Sequence, residues 1–208
     1  MEKIRTIFMA AFMISIIVPA GGQSQEFNRI IEGFQNSYLN EASGDLHSSI
    51  KDLKNIYDEK SYEINLRLGW LTYSAGSFTE SYSYYNRALE LRTYAVEPRF
   101  GVIYPAAAMG NWERVIKEYR KILEIAPGNT VAMHRLGLVY YGRKEYEEAE
   151  KLFEKVVNLF PFDYDGLTML AWTKFQMKKH REAKVLFNKA LMNTPSGKSA
   201  LEGLEMME

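Results

Sequence analysis

The chain has 208 residues, with 26 basic and 26 acidic side chains, 47% apolar residues and 25% charged ones, the balance of a chain that folds. Zero formal charge argues against a nucleic-acid partner, because domains that track phosphates carry a basic excess. The absence of cysteine excludes disulfides, thiol nucleophiles and thiolate-bound metals.

Lys3 and Arg5 open the chain, an apolar run of twelve residues follows from Ile7 to Val18, and Pro19 and Ala20-Gly21-Gly22 precede a polar Gln23. Basic, apolar, small and then polar is the layout of a cleavable secretory signal, here residues 1–22. Cleavage is expected before Gln23, or alternatively before Gly21. The apolar run falls short of the roughly 20 residues that span a bilayer, so no stable membrane insertion is expected after cleavage. A buried N-terminal helix or an uncleaved anchor are the competing readings. The chain has no Asn-x-Ser/Thr sequon, and with the missing cysteine this favours a bacterial product that is exported, periplasmic or secreted.

Residues 23–61 are expected to form two helices, near 27–41 and 46–58. Tyr38, Gly44, Leu46, Leu53 and Ile56 fit a degenerate form of the pattern that follows, with Gly44 aligned on Gly76.

From Tyr62 the chain repeats every 34 residues. Ala88 leads to Ile122, Val156 and Ala190; Tyr85 to Tyr119, Phe153 and Phe187; Phe78 to Trp112, Tyr146 and His180; Thr93 to Pro127, Pro161 and Pro195. A column of mostly small residues, Gly69, Ile103, Gly137 and Ala171, marks where helices should approach closely. Met133, Leu136, Gly137 and Tyr140 lie on one stripe of a helix, and Ala149, Phe153, Val156 and Val157 on a stripe of a second. Between them Tyr141 to Tyr146 is polar and contains Gly142, which predicts a turn. Proline then stops the second helix, and nearby acidic residues are placed to cap the next. Each repeat is therefore a helical hairpin with one apolar face, which only stacking against its neighbours buries.

This period and residue pattern resemble the tetratricopeptide repeat. The family's Leu-Gly and Tyr appear as Leu136-Gly137 and Tyr140, and its Gly-x-aromatic turn as Gly76-Ser77-Phe78 and Gly110-Asn111-Trp112. Its second-helix signature appears as Ala183, Phe187, Ala190-Leu191 and Pro195. The match covers 62–197 as four repeats, 62–95, 96–129, 130–163 and 164–197. The second departs at Ile103 and carries Pro105 in its first helix. The resemblance implies an all-α, right-handed superhelical solenoid of antiparallel helix pairs. Residues 198–208, with Leu201, Leu204 and Met207, are expected to cap its end.

The resemblance also implies a concave face lined by the first helix of each repeat. Its inward positions are Glu63, Leu66, Trp70 and Tyr73; Glu97, Phe100, Tyr104 and Ala107; Val131, His134, Leu138 and Tyr141; and Asp165, Thr168, Trp172 and Phe175. The aromatic share there is well above the chain's 13%. Two readings stand: these rings pack between neighbouring first helices, or they form a groove for a peptide, a partner helix or a glycan stacked on Trp and Tyr. The groove reading uses Leu66, Trp70, Tyr73, Phe100, Tyr104, His134, Leu138, Tyr141, Trp172 and Phe175. The family's carboxylate clamps need Lys, Asn and Arg where these residues stand, so that activity is not expected.

Pro105 is expected to kink its helix, with Gly101 making room, and so either widens the groove opposite Trp112 or is a tolerated irregularity. His47, His134 and His180 have no second ligand three or four residues on, so neither metal nor cofactor is expected. No phosphate loop or nucleophile elbow occurs. The expectation is a non-catalytic adaptor that binds another envelope protein or peptide, with a glycan- or cell-wall-binding module as the alternative.

Overall fold

The computed structural model describes residues 20–207, so the basic start and apolar run of the expected signal lie outside the described residues. The described residues form eleven helices and no strand. They fall into two compact units, one ending at Ile56 and the other beginning at Tyr57.

The N-terminal unit pairs α1 (Ala20–Ala42) with α2 (Leu46–Asn55). Gly44 takes the left-handed turn between them at φ 85°, and the Asp45 carboxylate caps α2 by accepting from Ser48 N–H at 2.9 Å. The two helices meet on small residues. A Cβ at Gly33 would lie 2.6 Å from Ile56, and the buried Ser49 hydroxyl donates to the Ser37 carbonyl at 2.8 Å. Farther along, Asn40 donates to Asp52 at 2.7 Å. The second helix stops short of the expected residue 58: the Ile56 N–H turns back to the Leu53 carbonyl, and Asp58 accepts from Lys60 N–H in the turn beyond.

The C-terminal unit is a solenoid of antiparallel helix pairs: α3 (Tyr62–Ser74) with α4 (Phe78–Leu91), α5 (Glu97–Ala108) with α6 (Trp112–Ile125), α7 (Thr130–Gly142) with α8 (Tyr146–Leu159), and α9 (Tyr164–Gln176) with α10 (His180–Asn193). A short α11 (Lys198–Glu205) follows. Contacts run from each helix to the next along the chain, joined by α3 with α5 and α9 with α11. Three of the four first helices are capped by side chains at matching repeat positions: Ser61 accepts from Ile64 N–H, Asn129 from Ala132 and Asp163 from Gly166, while Val96 before α5 supplies no side-chain cap.

The turn inside each pair needs one left-handed residue, which is Gly76 (φ 78°), Gly110 (74°), Lys144 (62°) and Lys178 (60°) in succession. In the third pair the glycine read as the turn former, Gly142, ends the helix, and Lys144 bends the chain instead. Turn geometry thus persists where the glycine is lost, at the cost of a strained lysine.

Packing is organised by an aromatic ring on each second helix. A Cβ at Gly69 would lie 2.8 Å from the Tyr85 ring and one at Gly137 2.7 Å from Phe153, so the missing side chains are what let these helices close. Tyr85 is held on its other side too: a Cβ at Gly101 would collide with the same ring. This corrects the expectation that Gly101 makes room for Pro105, which lies buried inside a helix that continues to Ala108. Phe187 is gripped in the same manner by Gly203 of α11. Thus α11 begins 34 residues after α9 and packs like the first helix of a further pair, with Ala200 fully buried.

The second pair is also joined by buried charge. Glu118, 2% exposed, meets Arg99 at 2.7 Å and Arg114 at 2.9 Å. Arg99 donates in addition to the Thr93 carbonyl at 2.6 Å, and Arg114 donates to the Asn86 side-chain carbonyl at 2.7 Å while lying over the Tyr82 ring. Nothing in the repeat columns announces this, since Glu118 stands in a column with Tyr84, Leu152 and Leu186.

Candidate functional site

Three adjoining depressions of the C-terminal unit lie along the first helices of the second and third pairs, and a separate one of about 430 Å³ lies between Tyr62 and the turn at residues 91–95. Tyr73 is the pivot of the aromatic set, with its ring centroid 5.5 Å from Tyr104, 6.3 Å from Trp70 and 5.7 Å from Phe78. Tyr73, Phe100, Tyr104, Ala107, Trp112 and Leu138 help line a cavity of about 430 Å³, whose only charged lining residue is Arg135. A second cavity of about 810 Å³ shares Trp112, Leu138 and Val139 and runs between the turns at Gly110 and Gly142, where Arg143 and Glu113 pair at 2.9 Å. A third, of about 640 Å³, shares Val131 and Arg135 with the first and adds His134, Phe160, Asp163, Asp165 and Met169. The three adjoin through these shared residues.

The ten residues singled out in sequence divide among three settings. Tyr73, Phe100, Tyr104 and Leu138 come together in the first cavity, and Trp70, 42% exposed, stands beside Tyr73. His134 lines the third cavity, half-buried and edge-on to Phe153, and its Nε2 meets no hydrogen-bond partner. Burial pushes its imidazole below the ordinary histidine value, against an upward pull from Asp165.

The remaining four serve packing as well. Leu66 packs on the cluster of Tyr85, Leu89 and Val102. The half-buried Tyr141 stands edge-on to Tyr146 at 5.5 Å, and its hydroxyl accepts from Gln176 at 3.4 Å. Trp172 donates its indole N–H to Ser199 at 2.8 Å and lies 5.1 Å from Phe187, so α11 holds it in place. Phe175 sits between Trp172 and His180, at 5.6 and 5.2 Å.

Trp112, Val139 and Phe160 were not among the site residues read from sequence, and all three line these cavities. Trp112 stands in a column of ring-bearing residues, Phe78, Tyr146 and His180, which disguised it; the signal was the small Ala107 opposite. Among the described residues no group of three or more His, Asp or Glu is placed to share a metal ion, and no helix is long and apolar enough to cross a membrane.

Models of the tetratricopeptide repeat match residues 106–167 and 164–196, which run from the last turn of α5 to the end of the fourth helix pair. Residues 106–196 thus carry repeats of the tetratricopeptide family. Solved structures of similar fold include proteins described as tetratricopeptide-repeat proteins. One, from Parabacteroides merdae, is 22% identical, with a TM-score of 0.75 over 85% of this chain and 71% of that one. MamA is 18% identical, with a TM-score of 0.72 over 80% of this chain and 92% of its own. YrrB, described as a tetratricopeptide-repeat protein with an unusual peptide-binding site, is 15% identical, with a TM-score of 0.71 over 90% of this chain and 98% of its own. No curated protein matches by sequence. At these identities the likeness concerns the fold. A tetratricopeptide solenoid is a protein-interaction scaffold by architecture, and the particular ligand is decided by the residues of its surface.

Proposed function

We propose that this tetratricopeptide protein is a non-catalytic adaptor of the cell envelope, which holds a segment of a partner protein along the adjoining cavities of its second and third helix pairs. The observation that carries the reading is the apolar cavity formed by Tyr73, Phe100, Tyr104, Trp112 and Leu138, in which Tyr104 and Trp112 remain 48% and 49% exposed. Aromatic anchors in concave apolar surfaces supply most of the energy of peptide recognition. YrrB, of similar fold, is described as having a peptide-binding site, which agrees with a peptide as ligand here. The envelope location rests on the basic, apolar, small and polar order of residues 1–22.

Photo-crosslinking in cells tests this. A benzophenone amino acid at Tyr104 or Leu138 should trap a discrete protein, and one at the exposed Lys155 of α8 should not. Equal labelling from all three positions, or none from the cavity, would sink the adaptor reading. Fractionation of the same cells checks the address: recovery of the chain with cytosolic proteins would remove the envelope assignment.

A further inference from the structure

In three of the four helix pairs, the ring near the end of the first helix meets the ring that opens the second. Tyr73 meets Phe78 at 5.7 Å, Tyr141 meets Tyr146 at 5.5 Å and Phe175 meets His180 at 5.2 Å. The corresponding residues of the second pair, 34 positions on from Tyr73 and Phe78, are Ala107 and Trp112. Ala107 has no ring to offer. Trp112 is 49% exposed and has no ring partner among the described residues. The space that a ring at 107 fills in the other pairs is here open, and it belongs to a cavity walled by Tyr104, Trp112 and Leu138.

We propose that this open place is a specificity pocket, in which an aromatic side chain of a bound partner segment substitutes for the ring that the repeat lacks. The occupant is argued from the chain itself: three internal pairs show that the geometry of a first and second helix accepts a ring against the residue at this position, at centroid separations of 5.2 to 5.7 Å. Charge narrows the occupant further. Arg135 is exposed at this cavity and forms no ion pair with any described residue, whereas Arg143 is already held by Glu113 and Glu145. A carboxylate close to the aromatic residue of the segment gives Arg135 its partner. The ligand class is thus a peptide segment with an aromatic residue beside an acidic one. This inference rests on the peptide-groove reading and adds to it the residue that anchors the peptide.

Ala107→Phe fills the pocket from within and restores the missing internal pair, so the variant is expected to melt at or above the temperature of the parent. The probe is a random peptide library displayed on phage and selected on the full chain. The parent should enrich Phe, Tyr or Trp next to Asp or Glu. The affinity of a selected peptide should fall about tenfold or more on Ala107→Phe. Arg135→Gln should erase the acidic preference and keep the aromatic one. Peptides selected with no aromatic preference, or bound equally by parent and Ala107→Phe, overturn the pocket while the groove reading survives. If no peptide is selected at all, both fall. If the parent self-associates in sedimentation and Ala107→Phe does not, a second copy of this chain fills the place, and the proposed occupant is wrong.

Discussion

The second helix pair and its neighbours are built to one plan and solve it differently. In the third pair, Gly137 admits Phe153 and Tyr141 closes on Tyr146. In the second pair the small residue of that column is replaced by Ile103, the closing ring is absent at Ala107, and a buried Glu118 draws Arg99 and Arg114 inward. The pairs that keep the pattern set a ring near the end of the first helix against the ring that opens the second. The pair that breaks it leaves Trp112 exposed beside an open cavity, and it adds a buried ionic cluster to the ring contact of Phe100 with Tyr119. A repeat protein obtains a site where the repeat is interrupted, because a perfectly periodic solenoid has no position that differs from the next.

The largest effect that sharpens this contrast is expected at Glu118. Truncation in Glu118→Ala strands two guanidinium groups in a nearly buried setting and should cost about 3–5 kcal/mol in chemical denaturation. The equivalent change at Leu152 of the third pair creates a cavity only and should cost about 2–5 kcal/mol. The decisive comparison is a second substitution, Arg99→Met, which should recover part of the loss at Glu118 and none at Leu152. If it recovers equally little at both, the charge cluster does not hold the second pair together.

A smaller effect is expected at the glycines. Gly101→Ala forces a methyl into the Tyr85 ring between the first and second pairs and should destabilise by about 1–3 kcal/mol, whereas Gly128→Ala, with nothing within 4 Å of the added carbon, should be near neutral. Equal melting temperatures for the two variants would show that Tyr85 can move aside and that the clamp is not tight.

The smallest effect reverses sign between pairs. Lys144→Gly relieves a left-handed residue and should stabilise by about 1 kcal/mol, while Gly110→Ala introduces that strain into the second pair and should destabilise by a similar amount. A loss of stability in Lys144→Gly would mean that its side chain contributes more than its backbone costs.

Much of the architecture was legible before the fold was known, for identifiable reasons. The columns headed by Tyr85 and Ala88 repeat because every second helix must present the same face to the same neighbour, so spacing alone located the helices. Asp163 was legible as a cap because a short acidic side chain just before an apolar stripe has one obvious use, and it accepts from Gly166 N–H at 2.7 Å. The candidate site was legible in part. Tyr73, Phe100, Tyr104 and Leu138 were found by position and do converge, but position could not separate them from Trp172, which the same rule selects and which α11 ties down through Ser199. Gly101 was misassigned for a related reason: the sequence shows that a side chain is missing, and only the neighbouring helix shows whose ring occupies the space.

The sequence by itself determined the family, the helix order and the faces that must be buried, because these follow from periodicity along one chain. Tertiary structure alone decided which aromatics stay partly exposed, that Glu118 gathers two arginines, and that Trp112 faces an open place. Those outcomes depend on residues about 20 to 30 positions apart meeting across helix boundaries, where the volume and charge of one neighbour fix what the other can do.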